Sequence, residues 1–162
     1  MATYNLGQTN KPGILHCAEA TFDIGVTGAL VTGANTINSG VFIPDGAVIT
    51  KAWYHVATTF TGAGADAATI QLGTTSSLAS FVVGIAISAA GNIWDAGVRG
   101  TLVGVPALDG LARTAIAGKA AIAGTLIHCT ANEELIMTTG ANTITAGKLK
   151  LYVEYVLTGD LS

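Results

Sequence analysis

The sequence predicts an all-β chain, an antiparallel β-sandwich of jelly-roll type, and three observations carry that prediction. Runs rich in β-branched and aromatic residues alternate apolar with polar at a period of two. Clusters of Gly, Asn and Asp punctuate them at short intervals. Little of the chain reads as convincing helix, and many short strands with turn signals make a sandwich or barrel. An immunoglobulin-like sandwich fits less well, because the Cys-Trp-Cys spacing is not that of such domains.

At 162 residues the chain has the length of one domain. Residues 1–14 read as a polar N-terminal arm and 15–162 as a single sandwich. Leu15 to Ile24 is the first strand candidate. Pro44-Asp45-Gly46 then marks a turn: proline presets φ, Asp bonds nearby backbone, and Gly accepts positive φ. The strand after it, Val48 to Phe60, is one of the two clearest. Strict alternation places Ile49, Lys51, Trp53, His55, Ala57 and Thr59 on one face, and Thr50, Ala52, Tyr54, Val56, Thr58 and Phe60 on the other. Thr61 to Gly64 ends it. Ala68 to Leu72 opens the next strand, and Ala79 to Ile87 follows.

Residues 89–124 read as one long Gly/Ala-rich excursion, with a short helical turn expected after Pro106. Thr125 to Thr130 and Glu133 to Thr139 are further strand candidates. Ala146-Gly147 reads as the turn before the last strand, Lys148 to Thr158. There Leu149, Leu151, Val153, Tyr155 and Leu157 form an unbroken apolar face. A hexapeptide repeats, Thr32 to Ile37 and Thr139 to Ile144, and reads as two similar hairpin turns at equivalent places.

Charge is the unusual quantity. Asp, Glu, Lys and Arg make up 10% of the chain, against about 25% in an average soluble domain. Mean hydropathy is +0.56. From Asp23 to Asp45 no charge intervenes, and from Lys51 to Asp95 only Asp66 does. A surface so poor in charge is weakly protected against association, so the chain is expected to be a homo-oligomer. A net charge of −3 with scattered basic residues excludes wrapping of nucleic acid. The most apolar run, Phe81 to Ala90, is far short of the roughly 20 residues that span a bilayer, so no membrane is expected. The start, Met1 to Pro12, lacks the apolar core of a signal peptide, and Cys17 and Cys129 are expected as cytoplasmic thiols.

No catalytic constellation appears. There is no Gly-x-Ser-x-Gly elbow, phosphate loop or dinucleotide fingerprint. His16-Cys17 and His128-Cys129 are adjacent pairs whose side chains point to opposite faces of a strand, so neither is a nucleophile–base pair. Their separation is not zinc-ligand spacing, and each reads as a buried thiol beside a partly exposed imidazole. Glu133 and Glu134 are likewise adjacent, so they do not flank a cleft as glycosidase carboxylates do. No cofactor, metal or catalytic residue is assigned. Trp53 reads as core. Trp94, in the Gly-rich stretch Gly91 to Gly97, reads as an interface anchor.

Ser39-Gly40-Val41-Phe42-Ile43-Pro44-Asp45-Gly46-Ala47-Val48-Ile49 with Lys51 to Val56, and the stretch Glu133 to Met137 followed by Thr145 to Tyr155, carry a resemblance. The chain resembles small virion proteins of tailed bacteriophages, especially head decoration or cement proteins. The resemblance implies a jelly-roll-like protomer, assembly into trimers, binding across joints between major capsid subunits, and neither cofactor nor catalysis. It implies a place in the virion after assembly in the host cytoplasm. Phage tail and baseplate proteins share the style, and a receptor- or glycan-binding module is the rival reading. Trp94, Phe42 and Tyr4 are the candidate contact residues.

Overall fold

A computed structural model describes residues 13–27, 35–63, 67–88, 93–103 and 127–157. Among these, nine strands form two antiparallel sheets: β1 (Leu15–Asp23), β2 (Asn35–Ile43), β3 (Ala47–Gly62), β4 (Thr69–Thr74), β5 (Ser77–Ala86), β6 (Arg99–Val103), β7 (Ile127–His128), β8 (Glu133–Gly140) and β9 (Ile144–Leu157). A single helical turn, α1 (Ile24–Thr27), follows β1, and Asp23 Oδ1 accepts the Gly25 N–H at 2.9 Å there. The first sheet has the order β1-β9-β3-β6, with β7 also on β3. The second has the order β2-β8-β4-β5.

The pairings explain that order. β1 pairs with β9, β2 with β8, β3 with β6 and β4 with β5, as in one long hairpin whose tip is the β4–β5 turn. The hairpin is rolled so that β9 also meets β3 and β8 also meets β4, which splits it into two facing sheets. This is the jelly roll that the sequence predicts.

The core lies between the sheets. On the first, Phe22, Leu149 and Val56 form one cross-strand row, Ala20, Leu151 and Tyr54 the next, and Ala18, Val153 and Ala52 the third. Each large buried side chain in such rows contributes about 1.5–3 kcal/mol. Ile37, Ile43, Ile70, Leu72, Leu135 and Met137 face them from the second sheet. The apolar face read from β9 is the observed one, but β3 departs from strict alternation. Ile49 pairs with Tyr155 and Lys51 with Glu154, so Thr50 is an extra residue. This bulge flips the parity and turns Ile49 into the core, while Lys51, Trp53 and His55 stay outside.

Four other expectations are corrected. The residues Asn35–Ile37 of the repeated hexapeptide belong to strand β2, while the second copy makes the β8–β9 turn, where Ala141 has φ 68°. Asn35 pairs with Thr139, so the described residues of the first copy are strand neighbours of the second and not its turn equivalents, while 32–34 lie outside the described residues. Within residues 89–124 the chain forms β6, and the segment before it hydrogen-bonds along the edge of β3 through Val56, Phe60 and Thr59. The helical turn expected after Pro106 lies outside the described residues.

Trp94 is fully buried against Tyr54 and Phe60, with ring centroids 5.5 and 6.1 Å away. It is therefore a core residue of the protomer and its side chain is not an exposed anchor. Gly147 is not a turn before β9 but a position within it, at φ 142°, where an added Cβ would lie 2.2 Å from the Phe60 ring. Gly100 similarly leaves room for the Tyr54 ring. Burial pushes the Tyr54 phenol up to about 12.

Two substitutions test this packing by calorimetry. Gly147→Ala is expected to lose about 1–3 kcal/mol of stability by overpacking against Phe60. Thr139→Val is expected to gain about 1 kcal/mol, because the Thr139 hydroxyl is buried with no hydrogen-bond partner among the described residues. A Gly147→Ala variant as stable as the parent, or a destabilised Thr139→Val, would contradict this description of the core.

Candidate interaction surface

The outward faces of the two sheets differ in chemistry. On the first, β1 presents Cys17, Glu19, Thr21 and Asp23, β9 presents Lys148, Lys150, Tyr152 and Glu154, β3 presents Lys51, Trp53 and His55, and β6 presents Arg99. Every lysine and arginine among the described residues is on this face. The charges largely pair within it: Lys148 binds Asp23 at 2.9 Å, and Lys150 binds Glu19. The Lys148 hydrogen bond holds the Asp23 carboxyl below its ordinary range. Trp53 stacks on Tyr152 (centroids 5.2 Å, planes 10° apart), and the Lys51 ammonium sits 5.0 Å over the Trp53 ring. The Trp53 ring is thus engaged inside the protein, outside the core where the sequence placed it.

The outward face of the second sheet carries Thr36, Asn38 and Phe42 from β2, Glu134, Ile136 and Thr138 from β8, and Thr69, Gln71 and Gly73 from β4. Among the described residues its only charge is Glu134, which is 8% exposed. Phe42 and Leu78, by contrast, are 48% and 46% exposed. They stand on two irregular segments. Phe42 ends a bulge, since β2 places three residues, Ser39 to Val41, opposite the single Leu135 between its pairings with Ile136 and Glu134. Leu78 lies in the β4–β5 hairpin, whose backbone passes so close over Gly73 that an added Cβ there would meet the Ser77 carbonyl oxygen at 2.2 Å.

Two adjacent buried carboxylates brace these segments. The Gly40 N–H donates to Glu134 Oε1 at 2.7 Å, and Gly40 has φ 72°, which favours glycine. The Ser39 hydroxyl donates to the Leu135 carbonyl at 2.7 Å and accepts the Val41 N–H at 3.1 Å. On the other side of β8, Glu133 Oε2 accepts the Thr75 hydroxyl and the Ser76 N–H, both at 2.9 Å. Burial opposes ionisation of Glu133, but the hydrogen bonds from Ser76, Thr75 and Thr74 outweigh it and keep its pKa below the ordinary value. The two glutamates do face opposite ways, as their adjacency requires, and each anchors a different neighbour of β8.

The other sequence-marked residues are dispersed. His16-Cys17 and His128-Cys129 lie on β1 and at β7, with β9 and β3 between them, roughly 14 Å apart at about 4.8 Å per strand. In the first pair the imidazole is buried, stacked on Tyr155 at 5.3 Å, and the thiol is outside. In the second the thiol is buried and His128 is exposed. The first is the reverse of the expected arrangement. Burial, then Glu133 and Asp45, push the Cys129 thiol up to about 11, and burial with Glu154 and Glu19 raises Cys17. Neither environment favours a thiolate nucleophile. No group of three or more His, Cys, Asp or Glu side chains is placed to hold a metal ion among the described residues. Tyr4 lies outside the described residues. The Glu133–Glu134 bracing had only one sequence signal, two carboxylates in an otherwise uncharged strand.

No protein-family model matches the chain, and no curated protein matches it. Its fold is similar to chains in three solved capsid structures. One, from the cyanophage Pam1 capsid asymmetric unit, aligns with a TM-score of 0.59 at 15% identity over 96% of this chain and 94% of that one. A second, from the acidic stable capsid structure of Helicobacter pylori bacteriophage KHP30, gives 0.57 at 13% identity over 92% of both chains. A third, from the capsid of Ralstonia phage GP4, gives 0.56 at 15% identity over 92% and 88%.

Because the folded Glu133 has a lowered pKa, its contribution to stability is complete above the ordinary value of 4.5 and is lost as pH falls below it. Glu133→Gln is expected to be less stable at pH 7 by about 1–3 kcal/mol and to lose less on acidification than the parent. Denaturant titrations at pH 7 and below pH 4.5 check this. Parallel pH profiles for the two proteins would contradict the assignment.

Proposed function

We propose that this chain is a non-enzymatic structural component of a phage virion, a capsid decoration or cement subunit. It binds as a homotrimer across joints between major capsid subunits and stabilises the head. The observation that carries this reading is the likeness to three capsid-structure chains of nearly its own length, each aligned over 88% or more of both chains. The likeness is to a whole subunit and not to one lobe of a larger one. The charge deficit supports the same reading, since a chain that operates against other proteins has less need of a fully charged surface.

The mechanism is linkage. A subunit that binds the assembled shell and not its dissociated parts shifts the equilibrium toward the shell. Each site contributes about 2.7 kcal/mol when the free subunit is at a hundred times its Kd. A glycan- or receptor-binding role has less support. It needs open aromatic faces, whereas Trp53 is engaged by Tyr152 and Lys51, and Trp94 is in the core.

Co-sedimentation of the purified chain with shells of the phage that encodes it, stripped of this chain, tests the proposal. Saturable binding to assembled shells, none to dissociated capsid subunits, and a higher temperature of shell disruption are expected. No binding to shells, or equal binding to dissociated subunits, would overturn it.

A further inference from the structure

We infer that the β4–β5 turn does not hold itself closed: the buried Glu133 carboxylate on β8 is its latch, and acid releases the turn while the two-sheet core stays folded. The device is local, distinct from the contribution of Glu133 to overall stability, and it does not rest on the proposed function.

The turn lacks what a hairpin of its length needs. Thr74 pairs with Ser77, so the loop is the two residues Thr75 and Ser76. Two-residue hairpins favour turns with positive φ, usually supplied by Gly, Asn or Asp, because the twist of such turns matches that of the strands. Among the described residues Ala141 is the only non-glycine with positive φ, so Thr75 and Ser76 do not supply it. A two-residue turn without it splays its strands unless something outside the turn holds them.

Glu133 supplies that hold. Its Oε2 accepts from both loop residues, the Thr75 hydroxyl and the Ser76 N–H, each at 2.9 Å. The Thr75 hydroxyl in turn accepts the Glu134 N–H at 3.2 Å, and the Thr75 N–H donates to the Glu134 carbonyl at 3.1 Å. The loop is thus tied to β8 through Glu133 and its neighbour, while both loop residues are themselves exposed.

Protonation removes the tie. A neutral carboxyl is a weaker acceptor, and its O–H needs an acceptor of its own. The Ser76 N–H cannot accept, and the Thr75 hydroxyl already accepts from Glu134. Burial raises the Glu133 pKa, but the hydrogen bonds from Ser76, Thr75 and Thr74 lower it more, so the closed turn binds the proton less tightly than the open one. Closure is complete above the ordinary 4.5 and weakens as pH falls below it.

The rest of the sheet cannot respond to acid in its place. β2, β4 and β5 contain no titratable residue, and β8 contains only Glu133 and Glu134. Glu134 faces the other way and bonds Gly40. Near Glu133, burial keeps the Cys129 thiol protonated, and Asp45 and His128 beside that thiol are exposed. Leu135 and Met137, which continue β8 into the core, are apolar, so the opening stays local.

Residue-resolved hydrogen exchange of the full chain at pH 7 and below pH 4.5, corrected for the intrinsic pH dependence of exchange, tests this. The Ser76 amide is expected to lose protection about tenfold or more in acid, while the Met137 and Leu151 amides keep theirs. In Glu133→Gln, with its fold verified by circular dichroism, Ser76 protection is expected to be the same at both pH values. Asp45→Asn is expected to respond as the parent does. Three results would each overturn the inference. One is Ser76 protection in the parent that acid leaves unchanged. Another is a loss that comes only together with that of Met137 and Leu151. The third is an acid response that persists in folded Glu133→Gln or vanishes in Asp45→Asn.

Discussion

The burial of β8 on both of its sides is the constraint on which the rest of the second sheet depends. Glu133 to Thr139 are all buried, although a strand in a two-layer sandwich ordinarily shows alternate residues to water. Leu135 and Met137 fill the core, while Ile136 and Thr138 are covered on the outside. A strand in that position cannot carry a carboxylate without compensation. The two it carries sit at its first residues, where bulge and hairpin backbone N–H groups supply the bonds. The same residues that solve a burial problem also fix the shape of the surface beside them.

The rolled hairpin determines which residues share that surface. Residues remote in sequence, such as Gly40 and Glu134 or Ser76 and Glu133, meet because β2 and β4 flank β8 on either side. The other sheet follows a different logic. Its outer face holds paired charges and a stacked Trp53–Tyr152 pair under Lys51, and exposed pairs of this kind contribute little stability each. That arrangement suits a face that stays wet. The two sheets thus give the protomer outer faces of unlike chemistry among the described residues.

Much of the fold was legible from periodicity. β9, β1, most of β3, β4, β5 and β8 follow runs where apolar side chains recur every second residue, and the Pro44-Asp45-Gly46 turn follows from its composition, with Gly46 at φ 74°. What was not legible has physical causes. The Thr50 bulge adds a residue without changing composition, so Ile49 was assigned to the wrong face. β2 is not among the strand candidates because its bulge is written in Asn, Ser and Gly, the residues of turns. Trp94 sits amid glycines that suggest exposure, yet those glycines admit a chain that turns inward beside Tyr54 and Phe60. The charge deficit was plain in the composition, but the way the described charges divide between the two outer faces appears only when strand register sorts them. Of the sequence-marked contact residues, Phe42 alone is exposed among those described.

The central claim is that this rolled hairpin, its β2 bulge and β4–β5 turn held by Glu134 and Glu133, is a rigid subunit that docks on an assembled shell without refolding. A cryo-electron microscopy reconstruction of the assembled particle at side-chain resolution tests it most directly. The account predicts this jelly roll seated on the shell with Gly40 still bonded to Glu134, and Thr75 and Ser76 to Glu133, as in the free protomer. A particle that lacks this chain, or in which those bonds are broken and the β2 bulge and β4–β5 turn are rebuilt, would contradict it.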